Sequence, residues 1–312
     1  MITEPASLVN GMVDQPGSHK LSSFLTEVYE WAEDLAQQTP GISANSISPT
    51  HLRFFKGEHV LFDLLLNEIS GAKGVLNASE KFIRDTTFRK VILWEDLWYT
   101  KRRIVTYRLR ALLGLSERIP ARLTRVERLD RPTTTAFLQE NHLQDPVLSK
   151  LKYGLYLPER YYRVIEDKSF LPEPRQASEL LVAVATFAHP RTFQKEHGPH
   201  RSFEFVRFAN LAPTTVVGGL DKLLKHFIRE NQPDDIMTYA DLEWSDGHSY
   251  HKLGFTQMQD TVVQEFWVDT HSMARYATNR LPEGINEMNA QDLGYVKIVN
   301  AGSRKFVKTL TY

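Results

Sequence analysis

The chain has no cysteine among its 312 residues. That excludes disulfides, thiol nucleophiles and thiolate-based zinc sites, and it removes the mark of a bridge-stabilised secreted scaffold. Net charge is also missing, because 38 basic residues balance 38 acidic ones. No global field therefore draws the protein toward nucleic acid or an anionic membrane, although a local basic face is still compatible with either. No window reaches the roughly 20 apolar residues of a membrane-crossing helix. The opening MITEPASLVNGMVDQPGSHK lacks a basic segment leading into an apolar run, so no signal peptide is expected. These absences together predict a soluble, cytoplasmic chain with no membrane partner.

Periodicity supplies the organisation. Leu21, Phe24, Leu25, Val28, Trp31 and Leu35 recur at helical spacing, and a Ser pair near the start suits a helix N-terminus. TPGISANSISPT reads as a linker, and FKGEHVLFDLLLNEIS as a second helix with Val60, Leu61, Leu64 and Leu65 inward, closed by Gly71. A short buried strand, Val91 to Trp94, precedes a basic amphipathic helix, TKRRIVTYRLRALLGL. From Ala121 the rhythm changes to strand, helix from Pro132, two strands, a third strand through RSFEFVRFAN, the helix LDKLLKHFIRE, the strand DDIMTYADL, a short helix SDGHSYHKL and the strand TVVQEFWVD. GYVKIVN-AGS-RKFVKTL reads as a closing hairpin. This predicts an α/β protein: a mainly helical region over 1–117, then a mixed sheet flanked by helices over 118–312.

Most of the candidate chemistry gathers in the second region. Asp241 stands at a strand end, where a carboxylate can act as general base or orient an amine. The alternative is a turn or capping Asp. Glu204 and Arg207 in FEFVRF are three apart, which predicts opposite faces of one strand, with Glu204 toward a substrate or in a structural ion pair. Val217, Gly218 and Gly219 precede a helix, where a turn can hold phosphate or simply bend the chain. Ser245 and Asp246 read as caps of the next short helix. Lys101, Arg102, Arg103, Arg108 and Arg110 lead a local run of bases extending through Arg118, Arg122, Arg125 and Arg128. Such a run can grip DNA or tRNA phosphates, or be only a solvated helix face. His197–His200 and His248–His251 have near-ligand spacing, but without a matching carboxylate pattern no metal is expected.

Two resemblances sharpen these readings. The element order, the turn Thr215-Val216-Val217-Gly218-Gly219-Leu220, and Tyr250 ahead of Gly254-Phe255 resemble the GNAT acyltransferase superfamily. Gly218 matches the superfamily's phosphate turn, whereas Thr215 and Leu220 depart from it. The resemblance implies an acyl-CoA donor at Val217–Gly219, Glu204 or Asp241 acting on an amine, and Tyr250 protonating the leaving thiolate; the alternative for Tyr250 is an aromatic packed under the sheet. Separately, VILWEDLWYTKRRIVTYRLRALLGL, FLQENHLQ, LLVAVATFAHPR, FEFVRFAN, TVVGGLDKLLKHFI, TYADLEWSDGHSYHKLGF, and FWVD with Arg275-Tyr276 resemble the C-terminal region of phage Hef-type homing endonucleases. The nuclease half of that group is of the very-short-patch-repair-like class. Glu58 resembles its helix glutamate and Glu95-Asp96 its acidic pair, but the two ligand-bearing strands between them are not found, so a degenerate remnant is expected. The expected activity is N-acyl transfer, with a nucleic acid or nucleotide-derived amine as acceptor. The alternative is a catalytically silent DNA-binding accessory protein of mobile-element type.

Overall fold

The computed structural model describes residues 21–70, 87–171, 179–196 and 198–311. Gly71 and His197, singled out in the sequence, lie outside them. The chain divides into two units that are each discontinuous in sequence. The first takes 1–102, 241–246 and 261–303; the second takes 103–240, 247–260 and 304–312.

In the first unit, helix α1 (Ser23–Gln38) buries Phe24, Leu25, Val28, Tyr29, Ala32 and Leu35, and the Ser22 hydroxyl accepts from the Leu25 amide as N-cap. The supposed linker and second helix are strands instead: β1 (Ile42–Ser48), β2 (His51–Lys56) and β3 (His59–Asn67). They form an antiparallel meander, and β4 (Lys90–Trp94) adds parallel to β3. Gly57, in the left-handed region at φ 58, turns β2 into β3. The apolar run of β3 mimics a helix because both its faces are covered. Phe62, Leu64 and Leu66 are buried, Leu65 packs against a second cluster with Ile92 and Trp94, and Asp63 is enclosed. A second sheet, in the order β15 (Arg275–Ala277), β14 (Glu265–Asp269), β16 (Tyr295–Val299), is antiparallel throughout. It joins the same cluster through Val268 and Ile298.

Helix α2 (Glu95–Leu112) starts earlier than its sequence pattern suggested and departs from helical geometry at Lys101. It leads into the second unit, where the expected mixed sheet flanked by helices is present. Seven strands run in the order β13 (Thr256–Asp260), β17 (Ser303–Thr309), β12 (Asp235–Asp241), β10 (Gly198–Asn210), β8 (Glu179–Phe187), β7 (Leu151–Pro158), β6 (Arg125–Arg128); β9 (Arg191–Lys195) pairs off this path with β10. Helix α3 (Arg131–Asn141), capped by Asp130, packs Phe137 and Leu138 against Val184 and Ala209. Helix α4 (Gly219–Asn231) packs Leu223, Leu224 and Phe227 against Phe187, Phe203 and Phe205. The closing hairpin does not form. β16 pairs with β14, and β17 pairs with β13, so the two strands belong to different sheets.

Candidate functional site

The second unit's sheet opens between two of its central strands. β10 and β12 pair in parallel only at Ser202–Asp235, Phe203–Ile236 and Glu204–Met237, though both continue further. Against β8, β10 shifts register between Phe205 and Arg207. An inserted residue bends a strand away from its neighbour and frees ladder groups. Two of those freed carbonyls are capped by side chains: the Thr238 hydroxyl donates to Phe205 O at 2.9 Å, and Arg207 Nη1 donates to Val206 O at 3.0 Å.

The bulge also corrects the face assignment of Glu204 and Arg207. Phe205 pairs with Phe187, Arg207 with Thr186 and Phe208 with Ala185. Phe205, Phe187, Phe208 and Ala185 belong to the core cluster under α4, so Arg207 lies on the opposite face. Glu204, one residue before Phe205, shares that face with it. Glu204 is partly buried, and its carboxylate makes no hydrogen bond or ion pair with any described residue.

Tyr250 lies on the core face. It is carried by the short helix α5 (His248–Lys252), and its ring packs 5.3 Å from Phe306, 5.6 Å from Phe255 and 6.4 Å from Phe205. Its hydroxyl is hydrogen-bonded to the Thr238 side chain, and burial pushes its pKa up against the opposing effects of that bond and of Arg108. The phenol therefore keeps its proton throughout the neutral range. Glu204 and Tyr250 thus occupy opposite faces of the sheet where β10 and β12 part. The N-cap of α5 is Gly247, at φ 77, rather than Ser245 or Asp246. A side chain at Gly247 would collide with the Phe306 ring.

The glycine turn follows β11 (Thr214–Val217), which pairs in parallel with β5 (Glu117–Pro120). Gly218 is left-handed at φ 78, and a Cβ on Gly219 would come within 2.9 Å of Val216 Cβ. Each glycine thus has a backbone reason to be there. The first helical bond of α4 runs from Lys222 N to Gly218 O, so the preceding amides have no helical acceptor. Thr215, where the superfamily pattern has a basic or amide residue, bonds Ser116 Oγ at 2.7 Å. Beside the turn lies a pocket of about 420 Å³ lined by Arg118, Pro120, Ala121, Arg122 and Val217.

Asp241 belongs to the first unit, unlike Glu204 and Tyr250. Its Oδ1 accepts the Glu243 amide at 3.0 Å and its carbonyl accepts the Ser245 amide at 2.8 Å, which is turn chemistry. The residue missed by sequence reasoning is Glu243, only 3% exposed. Its Oε1 accepts Trp94 Nε1 at 2.9 Å and Ala301 N at 3.2 Å. Burial, reinforced by the Asp241 charge, pushes its pKa up to about 7 against the opposing pull of Arg275 and these donors. Arg275 forms a two-pronged pair with buried Asp96 at 2.6 and 2.7 Å and lies over the Trp94 and Phe266 rings. A glutamate between Leu242 and Trp244 was the available signal.

The basic segment is dispersed. Arg102 pairs with Glu27 at 2.8 Å and stacks on Trp98, both in the first unit. In the second unit Arg103 donates to the carbonyls of Glu140 and Ala212, and Arg108 and Arg110 are partly buried, as is Lys101 in the first unit. Arg125 pairs with Glu179 and Glu127, and Arg128 with Glu230. Glu58 lies exposed in the β2–β3 turn, and Glu95 opens α2 and accepts the Ile69 amide at 2.8 Å. Asp63 is fully enclosed by Arg53 at 2.7 Å, Lys90 at 2.9 Å and His51 at 3.5 Å. Among the described residues, no group of three or more His, Asp or Glu is placed to hold a metal ion, and no helix is long and apolar enough to cross a membrane.

No family model matches the chain, and no curated protein matches it. Solved structures do. A histone acetyltransferase HPA2 and related acetyltransferase from Corynebacterium glutamicum aligns over 61% of this chain and 97% of its own, at 12% identity and TM-score 0.33. A Bacillus subtilis acetyltransferase in complex with CoA aligns over 60% and 99%, at 14% identity and TM-score 0.33. The KacTA–DNA complex aligns over 44% and 87%, at 17% identity and TM-score 0.28.

Proposed function

We propose that the second unit is a GNAT-like N-acyltransferase whose site is the parting of β10 and β12. The observation that carries this reading is the placement of an unpaired carboxylate, Glu204, and a protonated phenol, Tyr250, on opposite faces of that parting. Acyl transfer to an amine needs one group to remove a proton from the nucleophile and another to supply one to the leaving group. The donor fits the residues present: the glycine turn at Val217–Gly219 opens beside an arginine-lined pocket, and the backbone between the strands is not closed by a continuous ladder. When bound, acyl-CoA supplies the acyl group as a thioester. Glu204 accepts the acceptor amine's proton on one face, and the Tyr250 hydroxyl donates a proton on the other. Thr238, bonded to both Phe205 O and the Tyr250 hydroxyl, fixes the donor's position. A nucleic acid or nucleotide-derived amine is the acceptor proposed, from the homing-endonuclease resemblance. The test is thiol release from acetyl-CoA in the presence of polyamines, aminonucleosides and tRNA. Amine-dependent release supports the reading, and its absence with every acceptor rejects it.

A second reading, a nuclease-silent DNA-binding accessory, rests on the homing-endonuclease resemblance. The buried acid on the first unit's sheet, Asp63, is already neutralised by Arg53 and Lys90, so its charge is not free for a divalent cation. That reading predicts salt-sensitive duplex binding without cleavage when Mg²⁺ is added.

A further inference from the structure

We propose that the ribbon made by β9 and the start of β10 (Gly198 to Ser202) is a docking site for single-stranded nucleic acid. Arg191 and Lys195 hold its phosphates, and Phe193 stacks on one of its bases. The bound strand points toward Glu204; that part of the inference rests on the acyltransferase reading, whereas the binding itself does not.

Strand β9 has no core to cover. All five of its residues, Arg191 to Lys195, are exposed, and among the described residues it pairs with β10 alone. Arg191 stands opposite Ser202, Thr192 opposite Arg201, Phe193 opposite His200 and Lys195 opposite Gly198. Alternation therefore puts Arg191, Phe193 and Lys195 on one face, and Thr192 and Gln194 on the other. Phe193 is 49% exposed and makes no ring contact with a described residue. Aromatic side chains stabilise a fold by being buried, so folding does not account for this ring.

The cations on either side of it are free as well. The side chains of Arg191 and Lys195 make no ion pair or hydrogen bond with any described residue. The acids at the foot of the ribbon are engaged elsewhere: Asp235 holds His200 Nε2 at 2.5 Å and Ser202 Oγ, and Asp234 accepts the Arg201 amide at 2.6 Å. Those bonds anchor the ribbon to the start of β12 and leave its outer half cationic. Its own acid, Glu196, lies in the turn beyond β9.

Cation, aromatic, cation at every second residue of one strand can meet two phosphates and the base between them. Stacking on an aromatic ring tolerates any base but requires an unpaired one, which a duplex does not offer. An acidic peptide would satisfy the two cations and leave the ring without a partner. The same face leads to the candidate site, because His200, Ser202 and Glu204 alternate onto it along β10, ahead of the bulge. A strand lying on the ribbon is thus directed toward the Glu204 carboxylate.

The experiment is fluorescence anisotropy of the full chain with a short labelled single strand, run as DNA and as RNA to separate those two sources. The matching duplex and a poly-glutamate peptide are titrated alongside, over a salt series. Wild type is compared with Phe193→Ala, Phe193→Trp and Arg191→Ala/Lys195→Ala. All three positions are exposed, so the variants should keep the wild-type Tm. Wild type should bind single strands more tightly than duplex. Phe193→Ala should weaken single strands about tenfold, and Phe193→Trp should restore them. The double-alanine variant should lower the salt slope by about 1.4, at roughly 0.7 for each of two phosphate contacts. Single-strand affinity equal in wild type and both alanine variants would overturn the site, and so would a duplex that binds as tightly as the single strands. Poly-glutamate bound in place of the oligonucleotides, and lost in the double variant, would overturn it in favour of an acidic protein segment. Thiol release from acetyl-CoA is followed in parallel, with a small amine and with a single strand bearing a terminal alkylamine. Phe193→Ala should raise KM for that strand with little change in kcat. Release with the small amine, together with no strand binding, would overturn this inference and leave the transferase reading standing. Strand binding without release from any amine would reject the transferase reading, and the approach to Glu204 with it.

Discussion

Two glutamates, one in each unit, show how differently a carboxylate can be housed. Glu243 in the first unit is sealed in, receives the Trp94 indole and the Ala301 amide, and holds its proton to about pH 7. Glu204 in the second unit is half-open and has no partner among the described residues. A strongly shifted acid is often taken as a sign of catalysis. Here the shift arises from burial within the first unit, and the unpaired acid at a strand parting is the better candidate for chemistry. The first unit uses charge to hold itself together. The second pairs Arg125 and Arg128 with glutamates but leaves the Glu204 carboxylate without a counter-charge among the described residues.

The largest effect expected from breaking this comparison is on the structural side. Arg275→Ala leaves Asp96 buried without its counter-ion, and such losses cost about 3–5 kcal/mol. Urea unfolding of the full chain should show the first unit's transition moving to lower denaturant, with thiol release by the second unit retained below it. On the functional side, Glu204→Gln should lower amine-dependent acyl transfer by about 10²–10⁴-fold, with stability within about 0.5 kcal/mol of wild type.

The next effect is pH-dependent. Glu243 has its pKa raised from 4.5 to about 7 on folding. The folded state therefore holds a proton that the unfolded chain releases. The stability it contributes is complete below about pH 4.5 and is lost as pH rises through about 7, a change of roughly 3 kcal/mol. Glu243→Gln should flatten that part of the stability–pH curve, and a curve unchanged by the substitution would remove this account of Glu243. The smallest effect is that of Asp241→Asn. The amide can still accept the Glu243 N–H, so the turn persists, while losing the neighbouring charge should bring the Glu243 titration down. Transfer activity should not change, because Asp241 belongs to the acid knot of the first unit rather than to the Glu204–Tyr250 pair.

Much of the second unit was legible because its elements obey simple periods. The helix at Gly219–Asn231 and the strands through Phe203–Phe205 and Ile236–Ala240 alternate or repeat cleanly, and Glu204 could be named from its strand; Tyr250 was named from the acyltransferase resemblance, as the Tyr ahead of Gly254-Phe255. The first unit misled for a physical reason. HVLFDLLLN is apolar on both faces, and a strand covered on both sides has no period of two to detect. ISANSIS is short and mostly polar, yet Ile42 and Ala44 point inward while Ser43 and Asn45 do not. The pairing of β16 and β17 with distant strands depends on tertiary partners that a hairpin-like spacing cannot reveal. The bulge at Val206, which puts Glu204 and Arg207 on one face, has no glycine or proline to announce it.

The central claim is that Glu204, at the parting of β10 and β12, removes the acceptor's proton. Its most direct measurement is the pH–rate profile of thiol release from acetyl-CoA with a saturating amine, for wild type and Glu204→Gln, with CoA affinity measured alongside. Wild type should show an acid limb that the substitution removes together with most of kcat, while CoA affinity stays the same. A Glu204→Gln enzyme with wild-type kcat and an unchanged acid limb would contradict it.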